Sequence, residues 1–363
     1  MPAPPGGGYL SGMSPSLRRP ARPTLLLLLI LLPACAGGGT TPASDPAPSA
    51  GVDARALLQV LAADSMEGRA AGTAGAARAA RFLAERMREY GLEPGVDGGY
   101  TQPVPLVETR GPDGARTLRL LVPGDSVGDG RVIEDVNLVG LVRGSDPALR
   151  DEAVVVGAHY DHEGIGPAVA GDSIYNGADD DGSGVVAVLA AARALAAGPP
   201  PRRTVVFLLT TAEEQGILGT FHYVANPVVP LARTVADLQV EMVGRNDSLA
   251  GGPGRLWLTG FERSTMGESF AAAGLPVVAD PRPQFNFFQR SDNIVFAWEG
   301  IPGHTLSSFG MHADYHKPSD EVERIDFDHL AAAAGVVTRA VRVLADGERP
   351  EWKPGGRPAK PGP

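Results

Sequence analysis

Three carboxylates in a row, Asp179, Asp180 and Asp181, stand between glycines in the stretch Asn176–Gly184, and the chain then enters an apolar helical pattern. Adjacent like charges repel, and a buried carboxylate without a partner is costly, so such a run is either solvated loop or the place of a cation. Its company bears on that choice. His159 and Asp161 follow one apolar run, Glu213 and Glu214 follow another, Glu241 lies towards the end of a third, and His316 comes late in the chain. Imidazole nitrogens and carboxylate oxygens are the donors that zinc takes in hydrolytic sites, and such sites also need a free carboxylate to move a proton.

These residues need elements that carry them to one place. Ala153–Ala158 and Thr204–Leu209 are unbroken apolar runs, as expected of strands covered on both faces, and Leu238–Val243 and Arg255–Leu258 read as further strands. Strand-like stretches near 117–122 and 136–142 precede them, and Val185–Leu195 reads as an alanine-rich helix. Helices are expected at about 53–63 and 75–90, the second with Ala79, Phe82, Leu83, Arg86 and Met87 at helical spacing and Gly91 as its stop. Asp326–Leu344 reads as a closing helix with Leu330, Ala334, Val337, Val341 and Leu344 on one face. In an open α/β sheet, ligands gather outside the carboxyl ends of strands. Three strand ends therefore aim an imidazole and carboxylates at one edge, and Asp180 opens the next helix among N–H groups that favour an oxyanion. Singly, each residue reads as solvated loop or as a satisfied histidine. Together, in this order and at strand ends, those readings lose their force.

Composition sets the rest of the frame. The chain has 363 residues and a formal charge of −10. Arg18, Arg19 and Arg22 precede the apolar run Leu25–Leu32, and Pro33-Ala34-Cys35 follows, which is the pattern of a secretory signal. The run is too short to span a bilayer comfortably. Cys35, the sole cysteine, stands where bacterial lipoproteins carry the residue that is lipidated after cleavage. Residues 1–34 are therefore expected to be a lipoprotein signal peptide and Cys35 the lipidation site, with a plain secretory signal as the alternative. Removing residues 1–34 takes away three positive charges and leaves −13. So acidic a chain has no general affinity for nucleic acid or anionic lipid. A membrane partner would be reached through the lipid at Cys35, on the outer side of the cell envelope or in the periplasm. Residues 35–51 read as a flexible tether, 52–346 as the one folded domain, and the Pro- and Gly-rich 347–363 as a disordered tail.

Four motifs in order resemble the zinc aminopeptidases of the M28 type. They are His159-Tyr160-Asp161, Asn176-Gly177-Ala178-Asp179-Asp180-Asp181-Gly182-Ser183-Gly184, Ala212-Glu213-Glu214-Gln215-Gly216 and Tyr315-His316-Lys317-Pro318-Ser319-Asp320. The likeness covers nearly all of residues 55–345, including Glu67-Gly68-Arg69, with no room for the protease-associated insert that the family often carries. The resemblance implies a three-layer α/β/α sandwich with a mixed, mostly parallel central sheet, and two zinc ions. It makes Asp180 the carboxylate bridging both ions, His159 and Glu241 the further ligands of one, and Glu214 and His316 those of the other. Glu213 becomes the general base, Asp161 the acceptor for the second N–H of His159, and the peptide bond Asp180–Asp181 a cis bond. The implied activity is removal of N-terminal residues from peptide substrates.

The chain departs from the family pattern twice. Glu241 stands where aspartate is frequent, and Arg290-Ser291-Asp292-Asn293 ends in asparagine rather than histidine. Phe287 and Phe288, with Phe285 and Phe309, could line an apolar pocket for the N-terminal side chain or belong to the core. Arg245 could pair with a substrate carboxylate or with an acidic neighbour, and His162, His304 and His312 read as local hydrogen-bonding residues. Within the turn, Asp179 and Asp181 are expected to bond locally and Ser183 to cap the helix. Rival readings on the same fold are a dipeptidase, a carboxypeptidase, a glutaminyl cyclase and a non-catalytic surface receptor. The receptor reading fits poorly with a chain that keeps all six expected ligand and base positions.

Overall fold

The computed structural model describes residues 52–112 and 114–362. The expected signal segment, the lipidation site Cys35 and the whole of the expected tether lie outside the described residues.

Capping and apolar spacing account for the first helices. α1 (Ala54–Leu61) starts where Asp53 accepts the Ala56 N–H at 2.9 Å, and α2 (Ala74–Glu89) starts where the Thr73 hydroxyl accepts the Ala76 N–H at 3.3 Å. Ala79, Leu83 and Met87 of α2 are buried, and Gly91 follows at φ 80°. Next come β1 (Glu93–Pro94), β2 (Thr101–Arg110), β3 (Arg116–Leu120) and β4 (Arg131–Val142). β5 (Ala153–His159) leads into a separate hairpin, β6 (Gly164–Val169) with β7 (Asp172–Tyr175), and then into α3 (Gly184–Ala197). β8 (Thr204–Thr210), α4 (Leu218–Ala225), β9 (Thr234–Glu241), β10 (Leu256–Leu258), α5 (Met266–Ala272) and β11 (Val277–Ala279) follow. α6 (Asn293–Trp298), β12 (Gly303–Ser307) and α7 (Phe327–Asp346) complete the order.

One mixed sheet runs β11-β10-β12-β9-β5-β8-β4-β2-β3, with β1 added to β4. Its middle, β12-β9-β5-β8, is parallel. The wing from β8 through β4 and β2 to β3 is antiparallel, so parallel pairing is concentrated where the sheet is covered on both faces. The alternation along the strands divides the core. Val154, Val156, Phe207 and Leu209 face a cluster that includes α1, α2, α3 and α7. Val155, Val206 and Leu208 face Tyr223 of α4 and Phe296 of α6. That is a three-layer α/β/α sandwich. α3 is buried nearly all round because it lies between the sheet, α1 and α7, which is why its sequence shows no polar stripe.

Two parts of the chain differ from the sequence reading. The sequence reading has no strand over 101–110, where β2 lies and includes Pro103 and Pro105, residues seldom found inside sheets. Both prolines pair in register with β4 on one side, while β3 pairs only from Leu106 onward, so no ladder donor is lost at Pro103 or Pro105 on the open side. Residues 347–362 are not a free tail. The indole N–H of Trp352 donates to the Gly300 carbonyl at 2.9 Å, the Lys353 N–H to Arg263 at 2.9 Å, and Arg357 to the Trp298 carbonyl at 2.8 Å. Trp352 also packs against Phe288 and His304. One large apolar side chain anchors a segment whose composition otherwise reads as loop.

Candidate metal centre

Neighbouring parallel strands end side by side. His159 is the last residue of β5, Glu241 the last of β9, and Glu213 and Glu214 follow β8. Just beyond two of these ends the backbone bends sharply, with Ala212 and Met242 at φ of 54° and 51°, and His316, in a later loop, takes φ 52°. L-residues with side chains rarely adopt that region, and such strain clusters at functional sites. Asp180 lies in the segment 178–183 ahead of α3, and the Asp180–Asp181 bond is cis, as the resemblance implies. The Asp180 N–H donates to Asp320 at 3.0 Å.

Asp180 sits between the two histidines. Its Oδ1 lies 3.3 Å from His159 Nε2, and its Oδ2 lies 3.2 Å from His316 Nε2. Glu241 Oε1 is 3.6 Å from the same nitrogen of His159, and Glu214 Oε2 is 3.2 Å from that of His316. The extra methylene of Glu241 thus still brings its carboxylate to the histidine. Among the described residues, three groups have ligand atoms within 4.8 Å of one another: His159, Glu213 and Glu241; His159, Asp180 and Glu214; and Glu163, Glu214 and His316. Asp180 Oδ2 and His316 Nε2 are buried and lack hydrogen-bond partners, although buried polar groups normally find them. A cation between these atoms would satisfy both, so the donor set fits metal.

The electrostatics carry the same imprint. Burial pushes the Asp180 carboxyl up, but the His159 and His316 imidazoles facing it outweigh burial and hold it well below the usual range. Burial and the Asp180 charge raise Glu214, and His162 and His316 bring it down to about 2. His316 loses to burial and gains more from Asp180 and Glu214, ending near 10. Glu213 behaves oppositely. Burial, with Glu241 and Glu214 nearby, pushes it well above an ordinary carboxylate despite His159. Two adjacent glutamates therefore have different proton affinities, which suits one to ligation and the other to proton transfer.

The structure redirects several expectations. The carboxylate of Asp161 lies 3.8 Å from His159 Nδ1, whereas the Asp161 backbone carbonyl lies 3.2 Å from it. The carboxylate instead accepts the Glu213 N–H at 3.1 Å and the Glu214 N–H at 3.4 Å, so it fixes the turn carrying those glutamates. Asp179 and Asp181 do bond locally, accepting from the Ser183 hydroxyl at 2.9 Å and the Gly184 N–H at 3.1 Å, but they also reach far along the chain, to the N–H groups of Gly244 at 2.7 Å and Met242 at 2.9 Å. Ser183 does not cap α3; its hydroxyl contacts Asp179 and accepts the Val243 N–H at 2.9 Å. Arg245 pairs with Asp314 at 2.7 Å and Asp320 at 3.4 Å, the acidic-neighbour reading. Phe288 is core, packed on His304 and Trp352. Asn293 donates to the Phe288 and Gly303 carbonyls and accepts from Thr305, a structural duty where the family often has histidine. His304 is likewise structural, between Thr259 and Ser264.

Phe287 does line the cleft over the cluster, with Phe309, Met242, Trp257, Tyr315, Arg290 and Ser307. Trp257 stacks on Phe287 at 5.4 Å, and Tyr315 stacks on His316 at 3.9 Å. Trp257 escapes sequence reasoning because it reads as an ordinary strand residue. Tyr315 carries one signal, its position directly before His316. Glu163 was also missed; its Oε1 lies 3.2 Å from His316 Nδ1.

Comparisons with known proteins bear on the fold and the family. The model of peptidase family M28 matches residues 137–341, more than half of the chain. BSAP, a zinc aminopeptidase from Bacillus subtilis, is similar at TM-score 0.57 and 18% identity, over 81% of this chain and 95% of that one. An aminopeptidase from Aneurinibacillus sp. strain AM-1 has TM-score 0.57 and 18% identity over 85% of this chain and 95% of its own. A glutaminyl cyclase from Porphyromonas gingivalis has TM-score 0.53 and 18% identity over 82% and 97%. A search of curated proteins returned no match. At such identities the structural likenesses establish a shared fold, and the family match goes further: this chain belongs to peptidase family M28.

Proposed function

We propose that this M28 chain is a zinc-dependent aminopeptidase whose centre takes two zinc ions. His159, Asp180 and Glu241 would hold one, and Asp180, Glu214 and His316 the other. The observation that carries this reading is Asp180, with one carboxylate oxygen turned to each histidine. When bound, the metal supplies Lewis-acid polarisation of the scissile carbonyl and a water of near-neutral pKa.

The chain's own residues do the rest. Glu213 takes the proton of the attacking water and returns it to the leaving amine; burial raises its proton affinity towards that of the species it serves. Asp161 holds the backbone of Glu213 and Glu214. Phe287, Trp257, Phe309 and Met242 form an apolar wall for the N-terminal side chain and keep water off the reacting bond. The Tyr315 hydroxyl, held protonated by burial and the nearby carboxylates, remains a hydrogen-bond donor beside His316.

The test is Glu213→Gln on an aminoacyl-nitroanilide panel. Metal content should stay at two per chain while kcat falls about 10²- to 10⁴-fold. A variant that stays active removes Glu213 as base. Peptides with free and blocked N-termini separate the rivals, because hydrolysis of blocked peptides overturns the aminopeptidase reading, and cyclisation of N-terminal glutamine points to a cyclase. We further propose attachment to the cell envelope through a lipid at Cys35, a reading supported by the pattern of residues 18–35 alone.

A further inference from the structure

The loop between β5 and β6 supplies more to the centre than the residue at its start. Between His159 and Gly164 every residue except Tyr160 meets one of the expected ligands or the base. The Asp161 carbonyl lies 3.2 Å from Nδ1 of His159, and its carboxylate accepts from the backbone of Glu213 and Glu214. His162 Nδ1 lies 2.8 Å from Glu214 Oε1, leaving Oε2 of that carboxylate facing His316. Glu163 Oε1 lies 3.2 Å from Nδ1 of His316. Tyr160 ties the loop back into the fold, its carbonyl accepting Arg69 Nε at 2.7 Å.

We infer that Glu163 is a positioning residue for the metal site completed by His316: it accepts the Nδ1–H of that imidazole and thereby directs the Nε2 lone pair at the metal. The inference rests on the two-zinc reading above. His316 needs such a partner more than His159 does. His159 is buried and is the last residue of a strand, whereas His316 sits in a loop, with its side chain about a third exposed and its backbone at φ 52°. The two nitrogens of an imidazole lie on opposite edges of the ring. Nε2 of His316 faces Asp180 Oδ2 and Glu214 Oε2, both at 3.2 Å, so Glu163 on the Nδ1 edge sits behind the ligand. A carboxylate there selects the tautomer, fixes the ring plane and raises ligand basicity.

The backbone keeps Glu163 in place. Gly164 follows at φ 79° and pairs with Tyr175 across the hairpin, and a Cβ at Gly164 would meet Ala70 Cβ at 2.6 Å. The side chain of Glu163 itself is 37% exposed. Replacing it should therefore disturb the site and spare the core.

Zinc titration of the metal-free full chain against a competing chromophoric chelator tests the inference. The wild type should show two sites. Glu163→Ala should weaken one of them about 10- to 100-fold and leave the other unchanged, with the melting temperature of the metal-free chain unaltered. Glu163→Gln keeps an acceptor oxygen and should recover most of that affinity. Unchanged affinity in Glu163→Ala overturns the proposal. So does Glu163→Gln binding as weakly as Glu163→Ala, which would make Glu163 a direct ligand. A wild type that takes up a single zinc overturns the two-metal reading instead, and the same variants then read Glu163 against that one ion.

Discussion

Asp180, Glu213 and His316 share one small volume and differ in what it does to them. The two histidines hold Asp180 ionised, Asp180 and Glu214 hold His316 protonated up to about 10, and burial leads in keeping the proton on Glu213. In the metal-free chain His316, His159 and Glu213 all have folded-state proton affinities above their ordinary values. Each binds protons more tightly folded than unfolded, so each contributes stability that is lost as pH rises through its folded value. Asp180 and Glu214 are ionised in both states above pH 7 and add no slope there. The metal-free chain should therefore melt at a lower temperature at pH 9 than at pH 7. Zinc should reverse that trend, because metal competes with the protons on the same atoms. A metal-free melting curve that shifts upward with pH in this window would contradict the assignment of these charges.

The turn Glu67-Gly68-Arg69 does for the loops what the strand ends do for the ligands. Arg69 is fully buried, and its guanidinium donates to the carbonyls of Tyr160 at 2.7 Å, Leu61 at 2.9 Å, Asn176 at 2.6 Å and Gly177 at 2.9 Å. It thus joins α1, the loop after His159 and the turn before Asp180. Burial lowers its pKa to about 10 against the pull of Asp161, Asp320, Asp180 and Asp181, so it stays charged among them. Glu67 and Arg69 take φ of 52° and 54°, a bend that lets the side chain turn inward. Arg69→Met keeps most of the volume and strands the buried carbonyls of Tyr160, Leu61 and Asn176, while the Gly177 carbonyl keeps the Gly182 N–H at 3.2 Å. At about 1–3 kcal/mol for each stranded group, relieved in part by water, a loss of at least about 3 kcal/mol is expected in urea unfolding. A loss below about 1 kcal/mol would mean the loops are held elsewhere. The 347–362 segment allows a similar check: Trp352→Ala should cost about 2 kcal/mol through lost contact with Phe288 and His304 and a stranded Gly300 carbonyl.

At the scale of the whole molecule, the proposed lipid anchor makes one prediction beyond the described residues. Cys35→Ser should move the chain from the membrane fraction to the soluble fraction in a bacterial host, with catalytic activity intact. Retention in the membrane fraction would overturn the lipid anchor. Much of the folded part was legible beforehand. The apolar runs at 153–158 and 204–209 read as buried strands because strands covered on both faces lose their alternation, and β5 and β8 are buried throughout. The structure brings His159, Asp180, Glu213, Glu214, Glu241 and His316 together, and the sequence singles them out by residue type, by strand ends for some of them and by the resemblance of four motifs. Other features depended on partners distant in the chain. Pro103 and Pro105 fit a strand only because β3 stops short of them, and Trp352 becomes an anchor only where Gly300 and Phe288 await it. Phe288 and Phe287 are adjacent in sequence yet turn to opposite duties, core and cleft. Glu163 looks like any loop glutamate until His316, far along the chain, presents its outer nitrogen. Residue types and their order follow from local chemistry and can be read along the chain. Which groups meet is set by packing between distant segments, and a linear reading contains no distances.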